Sequence, residues 1–391
     1  MVSNRIRNVA FLSTYPPREC GLATFTQDLA RELDKVGLLG RPKVIAVSDD
    51  RYAYSDRVIM ELRQHDRRSY AETAAAINNS DIELLVIEHE YGIFGGKAGE
   101  YILDLVDRLQ IPFVTTLHTV LPRPDSKQKE ILRRLGEKSA RIVTMANNTA
   151  PILERVYGID PAKVEVIHHG VPYRIVPSRE KLKERHGLSG RSVVTTFGLI
   201  SPGKGLEYGI EAIAKVSKKR RDVIYLILGQ THPCIRKTSG EAYREKLVKL
   251  VEKLGVGEHV RFVDKYLDKD EIIRYLQMSD IYMTPYLGKD QAVSGTLAYA
   301  VGYGRVVVST PYSYAKEMLA DGRGLLARFR DANSLARHIL YVLEHPGEKR
   351  DMEMRTLSLG RTMMWSNVAN QYTRLFIDTL EKARMTGSMA M

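Results

Sequence analysis

The residues best placed to handle charge in this 391-residue sequence fall into two groups. In the second half, Gly198-Leu-Ile-Ser-Pro-Gly203-Lys204-Gly205 follows an apolar run. A glycine-rich turn carrying a lysine and opening a helix near Leu206 offers backbone N–H groups and a cation to an anion. The spacing also fits G-x-x-x-x-G-K, the phosphate loop of nucleoside triphosphatases. That loop needs Ser or Thr after the lysine, to place a hydroxyl on Mg²⁺. Gly205 stands there instead, so what remains is an anion-binding turn or, more plainly, a strand–turn–helix with a solvated lysine. Ser294-Gly295-Thr296 stands just before the helical pattern Leu297–Val301. It reads as an N-cap whose N–H groups and two hydroxyls suit a second phosphate contact.

The first half holds the other group. Cys20-Gly21-Leu22-Ala23-Thr24 is the turn after the first apolar run, with Gly21 permitting close backbone approach to a ligand. His89 and His118 each end an apolar run, where a sheet presents its C-terminal edge. Glu88 and Glu90 flank His89 and are expected to set its protonation state. The basic run Lys215…Lys218-Lys219-Arg220-Arg221 ends a helix, where cations complement the dipole. It lacks interleaved aromatics and reads as a solvated face, not a nucleic-acid patch.

Positioning these residues takes a repeated element pattern. In the first half the apolar runs are Asn8–Thr14, Val44–Val47, Leu84–His89, Phe113–His118, Arg141–Ala146 and Val164–Ile167. Most are continuous blocks, as expected of strands buried on both faces of a parallel sheet. Leu22, Phe25, Leu29, Leu33 and Val36 recur at spacings of 3 and 4, one face of a helix. After the irregular stretch near 170–190 the alternation restarts with Ser192–Ile200, Val223–Gly229, Val260–Tyr266, Ile281–Tyr286 and Arg305–Thr310, and Trp365–Lys382 closes it as a long helix. This βαβα succession predicts an α/β chain of two doubly wound domains meeting at a cleft, with ligands at the strand C-termini.

Composition agrees with that reading. Hydrophobic residues at 44% and charged residues at 27% exclude a disordered chain. No run approaches 18 consecutive apolar residues, which argues against a membrane span. The opening MVSNRIRNVAFLSTYPP lacks a small-residue cleavage site and reads as a first strand. Cys20 and Cys234 give neither a disulfide framework nor a metal spacing, so a cytoplasmic protein is expected. The net charge of +12 is uneven. Residues 1–175 carry 24 Lys/Arg against 23 Asp/Glu, and residues 176–391 carry 35 against 24. The surplus lies with the two phosphate-type turns.

Over some 350 residues the order of these features resembles the retaining glycosyltransferases of family 4, which have the GT-B fold. The resemblance runs through the turn at Gly21, the strand ended by His118, Gly170-Val171, the Lys204-Gly205 turn, the strand ending at Gly229, the stretch QAVSGTLAYAVGYGRVVV at 291–308, and Trp365-Ser366. It implies two Rossmann-like domains facing each other across a cleft. They comprise 1–175 on the acceptor side, a linker at 176–190, 191–364 holding the donor nucleotide, and a final helix 365–391 returning to the first domain. It also implies metal-independent transfer, with retention, of a hexosyl group from a UDP-, GDP- or ADP-sugar to a hydroxyl acceptor. The sugar nucleotide is a substrate and no cofactor is implied. Lys204 and the Ser294–Thr296 turn, together with Gly21, Gly203, Gly205 and Gly295, would meet the donor and its leaving phosphate. His118 would contact the donor sugar, and His89 and Glu90 would stand on the acceptor side. Nucleic acid is not an expected partner, and docking on a membrane surface is the weaker alternative.

The sequence departs from the family pattern at four places. Gln291 and Tyr299 stand where the family's E-x7-E glutamates belong, and a shift by one gives Asp290 and Ala298. Leu199 replaces the usual arginine and Val306 the usual proline. Gln291 retains the ability to hydrogen-bond a sugar hydroxyl, whereas Tyr299 cannot accept from two ribose hydroxyls as a carboxylate does. Three readings therefore stand: a family 4 transferase with an altered donor site, a retaining phosphorylase using phosphate or a sugar phosphate, and a catalytically degenerate sugar- or nucleotide-binding protein.

Overall fold

The computed structural model describes residues 8–388, without the side chains of Cys234 and of 386–388. The opening segment 1–7 and the Cys234 thiol, both read above, lie outside the described residues. The chain forms two compact units, Met1–Pro172 with Met364–Met391, and Tyr173–Met363.

The first unit is built on a parallel sheet of seven strands: β1 (Val9–Ser13), β2 (Lys43–Ser48), β3 (Val58–Arg63), β4 (Leu84–His89), β5 (Phe113–Leu117), β6 (Arg141–Thr144) and β7 (Val164–Val166). Their order is β3-β2-β1-β4-β5-β6-β7, which reverses direction between β1 and β4. Phe11 of β1 aligns with Val44 on one side and Val86 on the other. Both central strands are buried along their full length, which is why their sequences are unbroken apolar blocks. β3 escapes the sequence reading because it is an edge strand whose residues are mostly part-exposed or exposed. The helix Gly21–Val36 buries Leu22, Phe25, Leu29 and Leu33 and ends at Gly37, whose φ of 70° only glycine adopts freely.

The last helix, Trp365–Ser388, belongs to this unit and packs on Gly21–Val36. Trp365 lies so close beneath Gly170 that a Cβ there would sit 2.2 Å from the indole ring. Only glycine fits that crossing.

The second unit has a six-stranded parallel sheet: β8 (Ser192–Phe197), β9 (Val223–Leu228), β10 (Val260–Val263), β11 (Ile281–Thr284), β12 (Val307–Ser309) and β13 (Gly324–Leu326). The order is β10-β9-β8-β11-β12-β13, so β8 and β11 flank the reversal. β13, three residues at the edge, was too short to read from its sequence. The core joins Val194, Ile210, Ile213, Tyr225, Ile227 and Met283.

The segment 176–190, expected as a linker, carries the helix Arg179–Arg185 and lies in this second unit. Lys183 and Lys349 each place Nζ 2.6 Å from the Asp280 carboxylate, and Arg179 is 3.6 Å away. Burial raises the Asp280 pKa, but Lys349 and Lys183 outweigh that and hold it below the ordinary value. This ion cluster fastens the segment to the start of β11.

Candidate functional site

β8 ends at Phe197, and Gly198 turns with φ of 125°. The chain then makes one tight turn, Pro202–Lys204, before the helix Leu206–Val216. Gly205 joins the two with φ of 58°, and a Cβ there would lie 2.3 Å from the Pro285 carbonyl. The same turn accepts the Leu287 N–H on Gly203 O at 3.0 Å. Glycine follows the lysine because the exit of β11 presses against it.

That exit carries Tyr286. Its hydroxyl lies 2.8 Å from Lys204 Nζ, and the ammonium is 4.0 Å from the ring centroid. The same hydroxyl lies 2.9 Å from Thr296 Oγ1. Thr296 is in the first turn of the helix Gly295–Gly302, where Ser294 Oγ accepts the Leu297 N–H at 3.3 Å. Ser294 Oγ and Thr296 Oγ1 are 3.2 Å apart. Gly198 closes the group: a Cβ on it would stand 3.3 Å from Thr296 Cγ2 and 3.8 Å from Lys204 Nζ. The two turns singled out in the sequence thus converge at the C-terminal ends of β8 and β11. In a doubly wound sheet that point of reversal is where ligands bind.

Lys183 and Lys349 meet Asp280, Arg244 meets Asp264 at 2.7 Å, and Arg305 stands 3.9 Å from Glu353. Lys204, half-buried, has no carboxylate within 4.0 Å among the described residues and donates to a neutral hydroxyl. Its field reaches His232, whose pKa is lowered first by burial and then by the Lys204 charge. A sheltered cation beside a helix start, with no protein anion to balance it, is suited to an incoming anion.

Of the other residues expected in this unit, Gly203 faces open space and Gly295 opens its helix. Gln291 folds back, its Nε2–H donating to Val293 O at 3.0 Å. Tyr299, 9% exposed, packs edge-on against Phe197 with centroids 6.4 Å apart. The two replacements for the glutamates therefore differ in kind: one amide bonded to its own loop, and one ring in the wall behind Gly198. Tyr286 was missed as a chemical residue because the sequence shows it only as the last residue of an apolar run.

The first unit collects Gly21, His89, Glu90 and His118. Gly21 opens its helix, with Cys20 Sγ accepting the Ala23 N–H at 3.3 Å and open space where a Cβ would be. His118 Nε2 lies 2.8 Å from Glu88 Oε2, and its ring meets Phe25 edge-on at 4.9 Å. Burial drives the Glu88 pKa up and lowers that of His118 to about 4. Near neutral pH the imidazole is therefore neutral, and Glu88 holds its Nε2 edge. His169, also neutral with a pKa of about 4, meets the same Phe25 ring at 5.2 Å. That second histidine was not foreseen, although His168-His169-Gly170 at the end of β7 could have marked it.

The expectation that the flanking carboxylates tune His89 is corrected. Strand alternation sends Glu88 to the opposite face, onto His118. Glu90 is spent bracing loops, accepting from the Tyr91 N–H at 2.9 Å and from Thr119 Oγ1–H at 2.5 Å. His89 is fully buried between Tyr91 and Phe94, neither ring nitrogen has a partner among the described residues, and burial lowers its pKa to about 3.

Comparison with known proteins bears on the family and the fold. Residues 20–174 match the model for Glycosyltransferase Family 4, and residues 178–356 match that for Glycosyl transferases group 1. The chain is 25% identical over 298 residues, 71% of its length and 68% of the other's, to D-inositol 3-phosphate glycosyltransferase 2 of Catenulispora acidiphila. Its fold is similar to that of a sucrose-phosphate synthase from Thermosynechococcus elongatus, with a TM-score of 0.79 at 16% identity, covering 96% of this chain and 100% of that one. Anabaena HepE in complex with UDP and glucose gives a TM-score of 0.75 at 15% identity, covering 95% and 100%. With its two Rossmann-like units and matches spanning both, the chain belongs to glycosyltransferase family 4 and has the GT-B fold.

Proposed function

We propose that the protein transfers a hexosyl group, with retention and without a metal ion, from a UDP-, GDP- or ADP-sugar to a hydroxyl acceptor. One observation carries the reading: the Lys204 ammonium, with no carboxylate within 4.0 Å among the described residues, stands at the Ser294–Thr296 helix start. A departing nucleoside diphosphate gains negative charge as the sugar bond breaks. Lys204 and the first-turn N–H groups of Gly295 and Thr296 would stabilise that charge in place. His118, its ring oriented by Glu88, would meet a hydroxyl of the donor sugar through its other ring nitrogen. The similarity in fold to Anabaena HepE, whose structure is a complex with UDP and glucose, adds support by likeness. Gln291 and Tyr299 in place of the two glutamates imply that the donor's sugar and ribose are held by other groups than is usual in the family.

A thermal-shift panel of UDP, GDP, ADP and orthophosphate tests this, because a ligand of the native state raises the melting temperature by mass action. A rise with one nucleoside diphosphate is expected. A rise with orthophosphate alone would move the assignment to a phosphorylase. Binding with no turnover across donors and acceptors would mark a degenerate binding protein. Turnover unchanged by EDTA is the expected sign of metal independence.

A further inference from the structure

Tyr286 has no assigned part in the reaction, yet it is the residue through which Lys204 and the helix start are joined. Its ring is 1% exposed and stacks on Tyr312 with centroids 5.5 Å apart and planes 17° from parallel. Its carbonyl accepts from Thr310 Oγ1–H at 2.5 Å. The hydroxyl is thereby fixed in position before any ligand arrives.

Proton bookkeeping gives the hydroxyl a direction. An ammonium only donates, so the 2.8 Å bond runs from Lys204 N–H to the Tyr286 oxygen. The tyrosine's own proton is left for another neighbour: Thr296 Oγ1 stands at 2.9 Å, and the buried Tyr282 hydroxyl borders the same group. Thr296 Oγ1 in turn lies 3.2 Å from Ser294 Oγ, so a row of hydroxyls runs from Lys204 along the helix start.

We propose that Tyr286 is a positioning residue: its hydroxyl fixes the Lys204 ammonium where the leaving diphosphate would meet it. The proposal rests on the reading of Lys204 given above. Phenylalanine at 286 keeps the ring, its stacking and its contact with the ammonium, and removes only the hydroxyl.

The test uses inorganic pyrophosphate as a probe independent of the nucleotide base, titrated calorimetrically into the whole protein. Tyr286→Phe should weaken binding about tenfold, the scale of one hydrogen bond to a charged group. Lys204→Ala should cost at least as much. In the Lys204→Ala background, Tyr286→Phe should add less than about twofold, because its effect passes through the lysine. Melting temperatures within a few degrees of the parent would show that the fold is intact.

If Tyr286→Phe binds like the parent while Lys204→Ala is impaired, the positioning role is wrong and the reading of Lys204 stands. Losses that multiply in the double variant would also overturn it, since Tyr286 would then act independently. If Lys204→Ala itself binds like the parent, the reading of Lys204 fails first and the proposal falls with it.

Discussion

Lys204 and its counterparts in the same unit show how the partner of a charge decides its use. Lys183 and Lys349 have Asp280 and act as fasteners, whereas Lys204 has hydroxyls and remains available to a ligand. Replacing Lys204 by alanine should lower turnover about 100-fold or more, the scale of removing one preorganised contact to developing charge. Steady-state kinetics with the donor identified by thermal shift measures this, and an undiminished rate would remove Lys204 from the mechanism. In the first unit the buried imidazoles make a pH prediction. Folded pKa values of about 3 for His89 and about 4 for His118 and His169 lie below the ordinary 6.5. The unfolded chain therefore binds protons that the folded chain refuses, and stability present above pH 6.5 is lost as pH falls toward 4. Glu88 has the opposite sign, its contribution being full below about 4.5 and lost as pH rises. Three histidines outweigh one carboxyl across pH 4.5–6.5. His89→Phe should reduce the acid loss by about 2 kcal/mol between pH 7 and pH 5 in urea unfolding, one proton's worth below pH 6.5. An unchanged slope would contradict the assignment.

At the scale of elements, the site is held by two tight fits. Gly205→Ala would force a left-handed residue into contact with the Pro285 carbonyl and should cost about 1–3 kcal/mol or more in urea unfolding. It should weaken pyrophosphate binding with it, because the Lys204 turn must shift. Asp280→Ala would leave Lys183 and Lys349 without their anion in a sheltered setting, and a loss of about 3–5 kcal/mol is expected. A loss below 1 kcal/mol would mean that the cluster does not fasten the Arg179–Arg185 helix. The sheet-forming elements were legible because β1, β4, β8 and β9 are central parallel strands, and such strands must be apolar on both faces. β3 and β13 were not, because edge strands need no such pattern and β13 has only three residues. The helix in 176–190 was hidden for another reason. Its seven residues bury only Leu182, and its ion pairs run to residues about a hundred and more positions away.

The whole molecule divides its charge as it divides its sheets: residues 1–175 are near neutral, and nearly all of the +12 lies beyond them. Much of that surplus is solvated, as Lys218 and Lys219 show by their exposure at the end of the helix Leu206–Val216. Reversing both, Lys218→Glu with Lys219→Glu, should leave nucleoside diphosphate affinity unchanged within about twofold, since exposed charges at a distance are screened. Among the described residues no helix is long and apolar enough to cross a membrane. The candidate site was half legible. Lys204, Ser294 and Thr296 announce themselves by type and by their place after strands. Tyr286 and the Glu88–His118 bond do not, because each depends on which strands are neighbours and which way a side chain points. The central claim is that the Lys204 site takes the diphosphate of a sugar nucleotide. Calorimetric titration of the parent and Lys204→Ala proteins with UDP, GDP and ADP tests it most directly. One of the three nucleotides should bind the parent, and the substitution should weaken it tenfold or more; no binding by any of them, or equal affinity in both proteins, would contradict the account.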